Sequence, residues 1–107
     1  MMNKWTGIGL LTMDPSPYSF PGGYGNCTVR MVTFDKAKNK ETNELEDTFE
    51  YHNLIFKNRQ AEFVSKHCKK NSKLYVEGPI KYRAYNGATI SEIHVSYFEF
   101  LDKKDAS

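Results

Sequence analysis

The stretch from Lys73 to Gly87, KLYVEGPIKYRAYNG, predicts a β-strand that ends in a tight turn. Asn86-Gly87 is a strong signal for a two-residue hairpin, because both central positions of that turn need positive φ. Side chains alternate between the two faces of a strand, so Lys81, Arg83 and Tyr85 share one face. Cations contact phosphates and aromatic rings stack on unpaired bases, so this face has the chemistry of a single-stranded nucleic acid site. A strand face that is merely solvated can carry the same residues without any function. Whether this face binds nucleic acid therefore depends on whether the rest of the chain supports such a surface.

Four further strands are predicted on either side of this stretch. The cleanest alternation lies between Cys27 and Phe34, where Cys27, Val29 and Met31 form an apolar face that we expect to point inward. The strand TFEYHNLIFK is apolar on both faces, which is typical of a strand that lies between two layers or beneath a ligand or partner. The predicted strands are Lys4–Leu11, Cys27–Phe34, Thr48–Lys57 and Ala88–Leu101.

A short helix is predicted for RQAEFVSKHC, which follows the third strand. Ala61, Val64 and Cys68 recur there at helical spacing, and Asn58 is a good N-cap residue. The order of three strands, one short helix and two strands is that of the OB-fold. We therefore predict an all-β protein, a five-stranded Greek-key barrel with one short helix between strands 3 and 4. Residues 1–102 would form this domain, and residues 103–107 a short frayed end.

Residues 35–47, DKAKNKETNELED, are polar and almost without large apolar groups, which predicts a long, exposed hairpin loop. Such a charge run is commonly just solvated. If it contacts nucleic acid instead, Lys36, Lys38 and Lys40 are the residues that would do so.

Composition limits the function classes. The 107 residues carry a net charge of only +2, so a polyanion binder would need a local basic patch. Two cysteines, Cys27 and Cys68, make no disulfide framework, and no signal peptide or membrane span is visible, so we expect a cytoplasmic protein without a membrane partner. No nucleophile–base set, phosphate loop or paired carboxylates are present, so we expect neither an enzyme nor a cofactor. Adjacent His67 and Cys68 point apart on a helix, so we expect no metal site.

Five motifs follow one another along the chain: NKWTGIGLL, the turn Asp14-Pro15, FEYHNLIF, AEFVSKHCKKNSKLYVEG and YFEFLD. In order and spacing, these motifs resemble the DNA-binding domain of the bacterial and phage-type single-stranded DNA-binding protein family. The resemblance covers residues 3 to about 102.

The resemblance implies an OB barrel that assembles into homo-oligomers, dimers or tetramers. Its function would be to bind and protect single strands with little sequence preference in DNA replication, recombination or repair, alongside partner proteins of those processes. Tyr51 and Tyr85 fall at base-stacking positions of the family, and His52 at a position that supports subunit association. Family positions that contact the DNA strand or lie beside it are occupied by Arg30, Asn53, Arg59, Lys70 and Arg83. Lys4, near the first β-strand, is a weaker candidate. Lys81 is a candidate only because it shares a face with Arg83 and Tyr85.

Two family stacking positions are changed here. Ala37 stands where the family has a tryptophan, and Lys57 stands where it has a phenylalanine, which would replace stacking with a phosphate contact. Phe34 and Tyr82 are weaker stacking candidates, and we expect them to serve packing or subunit contact instead. An alternative interpretation is therefore an OB-fold interaction subunit of a replication or replication-restart complex, with weak affinity for nucleic acid.

Overall fold

The computed structural model describes residues 1–15 and 25–101, which form one seven-stranded sheet and one helix. The sheet has the order β5-β6-β3-β2-β1-β4-β7, and its neighbours are antiparallel except for the parallel pair β3 and β6. The all-β class and the helix between the third and fourth predicted strands are confirmed, whereas the predicted frayed end, residues 103–107, lies outside the described residues. The elements are β1 (Trp5–Leu11), β2 (Asn26–Lys38), β3 (Leu45–Lys57), α1 (Arg59–His67), β4 (Lys73–Gly78), β5 (Ile80–Tyr85), β6 (Ala88–His94) and β7 (Tyr97–Phe100).

The last two predicted strands are each divided in two. Pro79 has no N–H to give to a ladder, so the strand predicted from Lys73 onward ends at β4 and resumes as β5. Backbone hydrogen bonds cross the break, from His94 N to Pro79 O at 3.0 Å and from Ser96 N to Glu77 O at 2.8 Å. Strands β5 and β6 lie at one end of the open ladder, and β4 and β7 lie at the other. Because β4 continues into β5 and β6 continues into β7, the sheet curls so that its two ends approach each other.

The core lies between the inner face of the curled sheet and α1. Cys27, Val29 and Met31 are buried, so the predicted inward face of the second strand is confirmed. The helix contributes Ala61 and Val64 from one side. The remaining core members are Leu11, Leu54, Phe56, Cys68, Leu74, Val76, Ile93 and Val95.

The helix begins after Asn58, but the prediction that this residue caps it is wrong. Its side chain makes no capping hydrogen bond, and its backbone has φ 56. Asn58 Oδ1 instead accepts from Gly25 N at 3.3 Å, which fastens the junction of β3 and α1 to the start of β2. In the described part of the chain, no helix is long and apolar enough to cross a membrane.

The prediction of a long loop over residues 35–47 is also wrong. The β2–β3 ladder continues through Lys36↔Asp47 to Lys38↔Leu45, and only residues 39–44 turn. Asn39 closes the turn, since its Oδ1 accepts from Glu41 N at 2.8 Å. A ribbon that is solvated on both sides needs no apolar alternation, which is why the sequence pattern failed to show it.

Candidate nucleic-acid interface

Four neighbouring strands present one continuous outer face. The pair Leu54↔Ile93 is buried and marks the core side of β3 and β6, so residues one position away point outward. The ladder pairs Lys81↔Glu92, Arg83↔Ile90 and Tyr85↔Ala88 carry the same outward parity onto β5. Six of the predicted site residues lie on the central part of this face: Arg30, Tyr51, Asn53, Lys81, Arg83 and Tyr85.

This face spreads over two projecting hairpins. Strands β3 and β6 pair only at Leu54↔Ile93 and Ile55↔His94, so the β2–β3 and β5–β6 hairpins continue beyond as separate arms. The radius of gyration is 15.8 Å, against about 13 Å for a compact chain of this length. Where the arms part, Asn53 Nδ2 donates to Ser91 O at 3.2 Å. An extended strand could therefore contact both arms on one side of the molecule.

On the β2–β3 arm, Tyr51 presents its ring to solvent beside a cation. The side chain is 62% exposed, and the Arg30 guanidinium carbon lies 6.0 Å from its ring centroid. These residues occupy adjacent outward positions of β2 and β3, because Val32 pairs with Tyr51 and Arg30 with Asn53. A cation within about 6 Å of an aromatic centroid is attracted to the ring. The pair thus offers a stacking surface and a phosphate contact side by side.

The β5–β6 arm repeats this arrangement with Tyr85 and Arg83. Tyr85 is 55% exposed, and the Arg83 guanidinium carbon lies 5.4 Å from its ring centroid. Arg83 is held by a buried carboxylate, since its Nε donates to Glu92 Oε2 at 2.9 Å. This hydrogen bond lowers the pKa of Glu92 below its ordinary value, and His94 Nε2 lies 3.5 Å from the second carboxylate oxygen.

The other predicted contact residues lie away from the centre of this face. Lys57 has the same outward parity but ends β3, and Arg59 begins the helix. Lys70 is exposed in the turn after the helix, where its backbone N donates to Asp14 Oδ1 at 2.7 Å. Lys4 is engaged elsewhere, because its ammonium lies 3.2 Å from Glu77 Oε1 on β4.

His52 points to the opposite side of β3 from Tyr51. Its Nε2 lies 2.9 Å from Thr33 Oγ1, and its ring contacts Trp5 with centroids 4.7 Å apart. Partial burial lowers the pKa of His52, and the nearby Glu50 carboxylate opposes that effect weakly. The histidine is therefore neutral near pH 7 and lies beside the first strand.

The sequence did not indicate the role of Glu92 or the exposed cross-strand contact of Phe49 with Phe34. The latter follows from the hairpin register, since Phe34 and Phe49 are equally far from the turn at residues 39–44. Had the turn been located, the opposite charges of Lys36 and Asp47 would have indicated the same register. Within residues 1–15 and 25–101, no group of three or more His, Cys, Asp or Glu side chains is placed to hold a metal ion.

The chain is similar to proteins of a known family. The sequence profile of the single-strand binding protein family matches residues 2–101. The chain belongs to this family. The family's members are DNA-binding proteins without enzymatic activity, in agreement with the motif analysis.

Two relatives are similar along most of their length. The chain is 33% identical over 112 residues to a single-stranded DNA-binding protein of Bacteroides thetaiotaomicron, covering 99% of this chain and 70% of the relative. It is also 33% identical over 108 residues to single-stranded DNA-binding protein 1 of Xylella fastidiosa, covering 96% of this chain and 79% of the relative.

Solved structures of this family share the fold. A Plasmodium falciparum SSB in complex with single-stranded DNA has a TM-score of 0.79 and 26% identity, with 95% of this chain and 97% of that chain covered. A deletion mutant of the Thermus aquaticus single-stranded DNA binding protein has a TM-score of 0.79 at 21% identity, with 96% and 52% covered. The predicted OB-fold is thereby confirmed, although the hydrogen-bonded ladder is open.

Proposed function

We propose that this protein binds single-stranded DNA with little sequence preference. The observation that carries the proposal is the pair of exposed tyrosines, Tyr51 and Tyr85, on one face of two arms, each with an arginine within about 6 Å of its ring. Every base has a π-face, so stacking on tyrosine tolerates any sequence, while the arginines serve the phosphate backbone. The relatives named as single-stranded DNA-binding proteins support the same assignment.

The remaining predicted contacts extend this proposal outward from the two tyrosines. Lys57, Arg59 and Lys70 would contact phosphates at the edges of the face, and Lys81 and Asn53 near its centre. Lys4 would contribute less, because Glu77 already compensates its charge. The cellular role would be strand protection in replication, recombination or repair, in the cytoplasm and alongside protein partners of those processes.

A fluorescence anisotropy titration with labelled oligo-dT, at several salt concentrations, tests the proposal. Tyr51→Ala should weaken binding by ~1–3 kcal/mol, whereas Tyr51→Phe, which keeps the ring, should bind nearly as wild type. Tyr82→Ala is the matched control, because Tyr82 is exposed on β5 but has the opposite parity. Wild type that binds oligo-dT no better than duplex DNA of equal length at moderate salt would overturn the assignment.

A second candidate function is that of an OB-fold interaction subunit in a replication or replication-restart complex. Two cations on the outer face are already paired with carboxylates, Arg83 with Glu92 and Lys36 with Asp47 at 2.8 Å, which reduces the charge available to a strand. Stable co-purification with a replication protein, together with negligible affinity for oligo-dT, would favour this function over the first.

We also propose that the chain forms homo-oligomers through the edge of β1. Strand β1 pairs with β2 only at Leu10 and Leu11, so residues 5–9 have no ladder partner on that side among the described residues. An open edge is suited to pairing with a second strand, and the Trp5–His52 contact lies beside it. Sedimentation equilibrium should give the mass of two or four chains, and the mass of one chain at micromolar concentration would contradict the proposal.

A further inference from the structure

The outer face continues along the β2–β3 arm beyond Tyr51 and ends in a second aromatic feature. Phe34 and Phe49 form a cross-strand pair, with ring centroids 5.2 Å apart and planes at 87°. Their side chains remain 55% and 53% exposed, although rings that serve only packing are normally covered. The two rings therefore form an aromatic ledge that is open to solvent.

This ledge is continuous with the face already described. Phe49 is the next outward residue of β3 after Tyr51, and Phe34 is the next outward residue of β2 after Val32. Two residues of strand span about 6.8 Å, so the ledge begins one such step from Tyr51. A strand lying over Arg30 and Tyr51 and directed toward the tip of the arm would pass over the two phenylalanines.

Charge distinguishes the two sides of the same ribbon. Beyond the ledge, the outward positions hold Lys36 and Lys38, together with Asp47, which is ion-paired to Lys36 at 2.8 Å. The opposite side of the ribbon holds Asp35, Glu46 and Glu50, which alternate with uncharged residues. A polyanion is thus repelled from one side of the arm and accepted on the other, where the aromatic ledge lies.

We propose that Phe34 and Phe49 form a further base-stacking platform, which extends the bound strand from Tyr51 toward the tip of the β2–β3 arm. The inference rests on the proposed function, since it assigns two more contacts to the same ligand. It places stacking at positions other than Ala37. The packing expected of Phe34 is its contact with Phe49, and this contact leaves both rings exposed to a bound base.

The test uses the 107-residue protein and anisotropy with oligo-dT of increasing length. The double variant Phe34→Ala/Phe49→Ala should bind long oligomers about 5-fold or more weakly, which is the lower end of the cost of losing one stacked base. The loss should grow with oligomer length and then level off, because short oligomers can be held by Tyr51 and Tyr85 alone. An abasic oligomer of equal length should not distinguish the variant from wild type, because it offers phosphates without bases.

The double variant Phe34→Leu/Phe49→Leu keeps the apolar contact across the ribbon and removes the rings. Circular dichroism should show that it folds as wild type, and its affinity should fall nearly as far as that of the alanine variant. Leucine binding equal to wild type would overturn the platform, since the rings would then serve only to stiffen the arm. A change in sedimenting mass in either double variant would also overturn it, because the ledge would then be a contact between copies of the chain.

The outcomes separate this inference from the proposed function. If Tyr51→Ala weakens binding and both double variants bind long oligo-dT as wild type, only the platform fails. If wild type itself shows no preference for oligo-dT over duplex, the proposed function fails first.

Discussion

Arg83 and Glu92 form a hydrogen-bonded ion pair across the β5–β6 ladder, with Nε and Oε2 2.9 Å apart. Glu92 is buried while Arg83 stays about half exposed, so the carboxylate lies beneath the arginine. The pair has two consequences with opposite signs for a nucleic acid ligand. It fixes the guanidinium near the Tyr85 ring, and it cancels one positive charge on the face that we propose contacts phosphates.

Replacing Glu92 with glutamine separates these two consequences. Since its pKa is lowered, Glu92 is charged at neutral pH, and Glu92→Gln therefore adds one net positive charge to the face. We expect tighter binding of oligo-dT at low salt and a steeper salt dependence, together with a loss of about 1–2 kcal/mol in the free energy of unfolding. Titrations at several salt concentrations and urea denaturation measure the two effects. An unchanged salt slope would show that Arg83 does not contact phosphate.

Tyr85 and Arg83 should differ in how their loss depends on salt. Tyr85→Ala removes a stacking surface, which should cost ~1–3 kcal/mol of binding free energy and leave the salt slope as in wild type. Arg83→Gln should instead reduce the slope by about 0.7, the value for one strand phosphate. Anisotropy titrations over a range of salt concentrations compare the two, with Tyr85→Phe as the control that keeps the ring. The assignment of roles would be wrong if the tyrosine variant changed the slope and the arginine variant did not.

His52 should make the protein less stable in mild acid. Its pKa is lowered in the folded state, chiefly by burial, so the unfolded chain binds the proton more readily. The free energy of unfolding should be constant above about pH 7, begin to fall near the ordinary histidine value of 6.5, and level off below the lowered pKa. Urea denaturation between pH 5 and 8 measures this, and His52→Gln should flatten the profile. A profile as steep in His52→Gln as in wild type would contradict this origin of the pH dependence.

Gly78 should tolerate no side chain. A Cβ at this position would lie 2.1 Å from His94 O and 2.8 Å from His94 C, both backbone atoms of β6 that cannot move alone. We expect Gly78→Ala to destabilise the fold by about 1–3 kcal/mol or more, as measured by thermal or urea denaturation. Gly87→Ala offers a contrast, because nothing lies within 4 Å there and only its positive φ of 79° opposes the change. A smaller cost at Gly78 than at Gly87 would contradict the close approach of β4 and β6.

Local signals in the sequence were sufficient for much of the fold. The Asn86-Gly87 turn has positive φ at both residues, as the hairpin pattern requires, and Arg83 and Tyr85 lie on one face as their alternation predicts. These features depend on neighbours in the chain. By contrast, the sides of β3 could not be assigned from its own pattern, because that strand is apolar on both faces.

The features that the sequence did not predict depend on contacts between different segments of the chain. Pro79 divides a strand at the point where the chain changes its ladder partner from β7 to β6. The β1 and β7 partners of the first part lie in distant segments. The Asn58 side chain accepts a hydrogen bond from the backbone N of Gly25, which is distant in sequence, and does not cap the helix. Glu92 meets Arg83, nine residues away in sequence, across the β5–β6 hairpin, and no sequence motif marks this carboxylate as the partner of the arginine. Long-range pairing decided the first two cases.

The separation between a buried barrel and two solvated arms has a consequence for how such a protein can change. Apart from Ile80, every residue of β5 is exposed, and so is β3 from Leu45 to Tyr51. Mutations at these exposed positions leave the core intact, so the proposed binding surface can change without a loss of folding stability. An aromatic ring can therefore be placed at different rungs of the same ribbon, such as Phe34 and Phe49, without a change in the barrel. The arms are therefore where we expect this lineage to drift fastest in affinity while the barrel stays the same.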